Sequence, residues 1–175
     1  KGRPSFNPLI AHVEEIADAE RHAELHPIAR ELANAFWPGP LTLVATRRAD
    51  SSIAELACAG LATVALRSPS HPVARALLSA FGGPIVAPSA NVSGRVSATK
   101  AEHIADDLRP LVDLVLDDGP SPIGLESTIV AVEREIRCDH RHRREVAQAF
   151  AQGLRIRQAD ACLIAAAAVQ RDDAL

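Results

Sequence analysis

Arg67 closes the apolar run Ala62–Leu66, and a planar guanidinium at a strand end suits a carboxylate. A lone arginine in such a place usually faces solvent. In an open α/β sheet, however, the strand end is also where substrates bind. Three further clusters set small polar or cationic groups beside Pro or Gly, the composition from which phosphate pockets are built. Lys1 and Arg3 lie one residue apart, followed by Asn7-Pro8-Leu9-Ile10 and His12. On an extended segment both cations point to one face, where they either straddle a triphosphate or form a solvated chain terminus; spacing does not choose between these. His12 is either a partly buried packing residue or a ligand contact. The third cluster, Pro88–Thr99, holds Ser89, Asn91, Ser93 and Ser97 ahead of an expected helix start at Thr99. Its hydroxyls, amide and backbone N–H groups either surround a phosphate without adding charge or make a Ser/Asn loop capped by Thr99. The fourth, Gly124–Val130, places Ser127 and Thr128 at the mouth of a strand, a weak signal alone.

Neither G-x-x-x-x-G-K-[ST] nor G-x-G-x-x-G occurs, so nucleotide chemistry cannot rest on the common phosphate loops. No Ser-His-Asp or Cys-His order is defensible. Cys138, His140 and His142 have the side chains of metal ligands, but they lie in a run with four arginines, Arg137, Arg141, Arg143 and Arg144, which is more simply a solvated basic face, and no metal site is assigned. Cys58, Cys138 and Cys162 are too scattered for a disulfide framework, which favours a reducing cytoplasmic setting. The net charge of -3 excludes a global cationic field, so any RNA contact is local. No apolar stretch approaches the roughly 20 residues that span a bilayer.

The elements that must position these residues alternate. A helix is expected over Ile28–Phe36, stopped by Pro38-Gly39-Pro40, and a buried strand over Leu41–Thr46. A second strand, Ala62–Leu66, leads through a Ser/Pro turn into a helix over Val73–Phe81 that Gly82-Gly83 ends. A strand at Pro84–Ala87, a polar loop and a helix at Thr99–Leu108 repeat the phrase, and strands are expected at Val112–Leu116 and Ser127–Val132. Such alternation packs helices on a sheet, with functional loops at strand ends. Residues 1–152 are expected to form one domain, and the alanine-rich residues 153–175 a linker or frayed tail. The opening at Lys1 and the lack of any Met read as part of a longer protein.

Taken in order, K-x-R-P-x-x-N-P-L-I-x-H (Lys1–His12), F-W-P-G-P-L-T-L-V (Phe36–Val44), V-A-L-R-x-P (Val64–Pro69), A-P-S-A-N-x-S-G (Ala87–Gly94) and E-S-T-I-V (Glu126–Val130) resemble the YrdC family over residues 1–132. The resemblance implies an α/β (α+β) fold, a twisted sheet of mixed parallel and antiparallel strands with flanking helices around a concave cavity. It implies a threonylcarbamoyl-AMP synthase: the threonine amine captures bicarbonate or CO2 as a carbamate, which attacks ATP and expels pyrophosphate with Mg²⁺ assisting. The product then serves tRNA-modifying transferase proteins downstream. On matching positions, Lys1, Arg3 and Asn7 are expected to contact nucleotide phosphates, and Thr63, Ser89, Asn91 and Ser97 the rest of ATP. His12, Arg67 and Ser127 are expected to face threonine, with Lys1, Arg3 and Arg67 carrying the catalytic charge.

Two departures stand against the family pattern. The strand and helix that normally precede K-x-R are expected to be missing, and an L-R-P-G segment after E-S-T-I-V is replaced by Arg137-Cys138-Asp139-His140-Arg141. A second reading is a double-stranded RNA-binding module or an inactive remnant. A third, the carbamoyl-adenylate domain of hydrogenase maturation proteins, lacks the zinc motifs those long chains carry.

Overall fold

The computed structural model describes residues 5–104, 108–122 and 124–132, and the backbone of 136–138. Among the described residues seven strands form one sheet: β1 (Ile10–His12), β2 (Ala23–Glu24), β3 (Leu41–Arg47), β4 (Thr63–Arg67), β5 (Ile85–Ala87), β6 (Thr128–Val132) and β7 (Ile136–Cys138). Their order is β5-β1-β4-β3-β6-β7, with β2 paired to β3 beside this path. The β1–β4 and β3–β6 ladders are parallel and the others antiparallel, so the sheet is mixed as the family resemblance implied.

Among the described residues three α-helices accompany it, α1 (Ile16–His22), α2 (Pro27–Phe36) and α3 (Pro72–Phe81). Proline opens both longer helices at the first position, where its missing N–H has no intrahelical acceptor to lose. Gly82, at φ 71°, ends α3 by donating its N–H to the Leu78 carbonyl. Ala29, Leu32 and Ala33 recur at helical spacing on α2 and pack with Leu41, Leu43, Val130 and Val132. A second cluster joins Ala11, Val13, Ala45, Val64 and Leu66 to Ile53 and Cys58.

Strand alternation then divides the sheet into two faces. Leu43 pairs with Leu66 on the packed face, both 0% exposed. The neighbouring pair Val44 and Ala65 marks the other face, and Thr42 and Arg67, each two residues along, share it. His12 stands level with Arg67 across the β1–β4 ladder and belongs to that face too.

Two expected elements are absent. The segment from Thr99 starts no α-helix among the described residues: the Thr99 carbonyl, needed for a first helical bond, accepts from the Ser121 N–H at 2.7 Å. Lys100 is extended, and only short 3-10 turns form at Ala101–His103 and Arg109–Leu111. Thr99 correspondingly caps nothing; its hydroxyl meets His103 Nδ1 at 3.1 Å. No strand forms at 112–116, where Leu114 is 60% exposed and no neighbouring strand offers a ladder. Among the described residues no helix is long and apolar enough to cross a membrane.

Candidate functional site

A cavity of about 90 Å³ opens at the ends of β1 and β4, walled by the loop after β5 and by the segment leading into β6. β1 contributes His12 and β4 contributes Arg67, while Ser89, Ser97, Glu126 and Ser127 come from the two loops.

Arg67 is only 6% exposed. Its Nε donates to the Gly39 carbonyl at 3.0 Å, and the Gly39 N–H donates back to the Ser68 carbonyl at 2.8 Å. This reciprocal tie fixes the Pro38–Pro40 turn against the end of β4. Only glycine fits at its centre, since a Cβ on Gly39 would stand 2.2 Å from the Phe36 carbonyl oxygen. With Nε so occupied, Nη2 is buried without a hydrogen-bond partner among the described residues. Burial presses the guanidinium pKa below its ordinary value, and the Glu126 carboxylate opposes that shift. A buried cationic donor lacking its acceptor is the arrangement an anionic ligand completes.

His12 is 2% exposed, with Nδ1 3.3 Å from the Ile85 carbonyl. A carbonyl only accepts, so Nδ1 carries the proton and Nε2 keeps its lone pair. Desolvation, and then the charge of Arg67, lower its pKa to about 4, so the ring is neutral at physiological pH. Ser127 Oγ lies 2.9 Å from Thr42 Oγ1, and the Thr128 N–H donates to the Pro40 carbonyl at 2.9 Å. Ser97 donates its hydroxyl to Glu126 Oε1. The wall beyond is held by Gly124, whose N–H donates to Ser121 Oγ at 3.2 Å and whose φ of 68° suits glycine.

The structure thus gathers His12, Arg67, Ser89, Ser97 and Ser127 around one cavity. Asn91 lies on the same loop as Ser89, donating its side-chain N–H to the Arg95 carbonyl, but is not in the cavity wall. Asn7 is exposed ahead of β1. Thr63 begins β4 and so stands at the far end from Arg67, about 13 Å away at strand rise. Lys1 and Arg3 lie outside the described residues, as do His140, Arg141, His142 and the side chains of Arg137 and Cys138. Among the described residues no group of three His, Cys, Asp or Glu side chains is placed to hold a metal.

Three contributors escaped the sequence reading: Glu126, Gly39 and Thr42. Glu126 sat in the quoted E-S-T-I-V motif and was a legible acid at a strand mouth. Gly39 between two prolines read only as a turn, and Thr42 in an apolar strand gave no signal of a polar role.

The Sua5/YciO/YrdC family model, described as telomere recombination, matches residues 1–142. A threonylcarbamoyl-AMP synthase of Bacillus subtilis is 47% identical over 137 residues, covering 78% of this chain and 39% of that protein. One from Pyrococcus abyssi is 43% identical over 131 residues, covering 74% and 38%. The crystal structure of P. abyssi Sua5 complexed with L-threonine superposes with a TM-score of 0.74 at 41% identity, covering 79% of this chain and 41% of that one. The chain spans about two-fifths of the length of the curated relatives it matches. With sheet topology, motif order and a match over most of its length in agreement, the chain belongs to the Sua5/YciO/YrdC family.

Proposed function

We propose that this chain forms threonylcarbamoyl-AMP from L-threonine, bicarbonate or CO2, and ATP. The observation that carries the reading is Arg67, a buried guanidinium at the wall of a cavity whose Nη2 lacks an acceptor among the described residues. An α-amino acid carboxylate supplies two acceptor oxygens to such a fork. The L-threonine complex of P. abyssi Sua5, a relative 41% identical, adds support for which amino acid that is.

In this reading Arg67 and the Ser127 hydroxyl hold the carboxylate. Neutral His12 offers an uncharged acceptor at Nε2, so the amine side of the pocket gains no second positive charge. The threonine amine adds to CO2, or to bicarbonate with loss of water, and gives up a proton to become the carbamate. A carbamate oxygen then forms a bond to the α-phosphorus of ATP as the bond to the β-phosphate oxygen breaks and pyrophosphate leaves. The protein supplies no covalent nucleophile; its contribution is positioning and charge stabilisation. Ser89 and Ser97 line the nucleotide side, joined by Asn7, Asn91 and Thr63 as outer contacts. Lys1 and Arg3 meet the triphosphate, and Mg²⁺ arrives with it. The product feeds transfer of the threonylcarbamoyl group onto tRNA.

The test is to incubate the folded chain with ATP, Mg²⁺, L-threonine and labelled bicarbonate. Labelled threonylcarbamoyl-AMP and stoichiometric pyrophosphate are expected, and both vanish with Arg67→Ala. A folded chain that binds neither threonine nor ATP, or an Arg67→Ala variant as active as the parent, refutes it.

A further inference from the structure

Pro38–Thr42 touches both residues assigned above to the amino-acid carboxylate. The Gly39 carbonyl takes Arg67 Nε, and Thr42 Oγ1 meets Ser127 Oγ at 2.9 Å. Thr42 is 0% exposed, so no solvent reaches its hydroxyl, whereas Ser127 lines the cavity. The pair has two polarities. Were Ser127 to donate, the Thr42 proton would be sealed in the sheet with no other acceptor among the described residues, an expensive arrangement for a buried hydroxyl. Were Thr42 to donate, its proton would be satisfied and the Ser127 proton left available.

We infer that Thr42 is a positioning residue: its hydroxyl donates to Ser127 Oγ and thereby commits Ser127 to act as a hydrogen-bond donor into the cavity beside Arg67. The inference rests on the proposed function, in which that donor meets the threonine carboxylate. Two donors side by side, one cationic and one neutral, then face an anion, and neither presents a lone pair to it. The F-W-P-G-P-L-T motif acquires a chemical purpose in addition to its turn. Gly39 sets the guanidinium and Thr42 sets the hydroxyl.

The experiment is a double-mutant cycle read by calorimetric titration of L-threonine and by thermal melting, on the parent chain, Thr42→Val, Thr42→Ser, Ser127→Ala and the Thr42→Val/Ser127→Ala pair. Thr42→Val keeps shape and removes the hydroxyl; it is expected to weaken threonine binding on the order of fivefold with little change in melting. Thr42→Ser restores parental affinity. In the Ser127→Ala background, Thr42→Val costs no further affinity, because the group it acts through is gone. Melting follows the opposite logic: Ser127→Ala strands the buried Thr42 hydroxyl and melts lowest, and the double variant recovers. Unchanged threonine affinity in Thr42→Val, or the same loss in both backgrounds, overturns the inference while leaving the proposed function standing. A folded parent that binds no threonine overturns both.

Discussion

Replacing Arg67 by methionine separates two quantities that the parental residue sets against each other. Arg67 is 6% exposed and, among the described residues, bonds to the Gly39 carbonyl through Nε while Nη2 has no partner, so the unliganded fold carries an under-compensated buried charge. Such a charge opposes folding by several kcal/mol, and replacing buried ionic groups with apolar ones of similar size stabilises by about 1–4 kcal/mol in known cases. Methionine retains the length and apolar volume of the arginine stem. Against this gain stands the Gly39 carbonyl, left without its donor at about 1–3 kcal/mol. The two nearly cancel. Urea melts of Arg67→Met are therefore expected within about 2 kcal/mol of the parent, on the stabilised side, a shift of at most about 4–8 °C in melting. Binding behaves otherwise. A bidentate guanidinium–carboxylate contact comprises two charge-assisted bonds of about 1.5–3 kcal/mol each, so threonine affinity falls by at least about a hundredfold. Calorimetry and denaturation on one protein preparation give both numbers. The reasoning fails if the variant loses more than about 4 kcal/mol of stability, which would make the guanidinium structural. It fails equally if threonine still binds within about threefold of the parent.

Two further outcomes follow from the site. The His12 pKa of about 4 lies below the ordinary 6.5, so the unfolded chain takes up a proton between these values that the folded chain refuses. The stabilising contribution of neutral His12 is complete above about pH 6.5 and declines as pH falls, with about 2 kcal/mol lost by about pH 5. Urea titrations near those two pH values should show that loss shrink in His12→Asn, and an equal pH slope in both chains would contradict it. His22, also shifted down by burial, is common to both chains and cancels in the difference. Gly39→Ala forces a Cβ to 2.2 Å from the Phe36 carbonyl oxygen, and it should lower stability by about 2–3 kcal/mol and weaken threonine binding as the Arg67 tie shifts. A variant that melts and binds like the parent would show that the turn relaxes freely.

What could be read from the chain alone followed local grammar. The strands at 41–46 and 62–66 were legible because short apolar runs were bounded, the first by the Pro-Gly-Pro turn before it and charges after it, the second by arginine at its end; the structure ends them at Arg47 and Arg67. The helices expected at Ile28–Phe36 and Val73–Phe81 announced themselves by apolar spacing and by Pro-Gly or glycine stops; the structure starts each one residue earlier, on Pro27 and Pro72. β1 and β2 went unread: three and two residues carry no period, and unlike the equally short β5, which Gly82-Gly83-Pro84 and a polar loop bracket, they have no such boundary on both sides. The misread helix at Thr99 failed for a tertiary reason, the capture of its first carbonyl by Ser121. The same division governs the site. Arg67 at a strand end and the Ser-rich loop gave a signal in their own neighbourhoods. The Thr42–Ser127 contact joins positions 85 residues apart, and no local pattern encodes such a pairing.

That separation also bears on how the pocket comes into being. β3 meets β4 through a short excursion, whereas its parallel ladder to β6 closes only after Leu41 finds Thr128. Closing an 85-residue loop is entropically dearer than closing one of about 16 by about 1.5 kcal/mol, and non-local pairings of this kind form late. During synthesis the guanidinium half of the pocket can assemble once β1, β4 and the Gly39 turn have emerged, long before Ser127 exists to complete it. In the finished protein the same asymmetry makes β6 the strand whose transient departure would leave Arg67 in place and Ser127 gone. Such a departure would not be confined to the pocket, because Val130 of β6 is 0% exposed in the α2 core and β7 pairs with β6 alone among the described strands, so retention of Ser127 is tied to the core of the sheet.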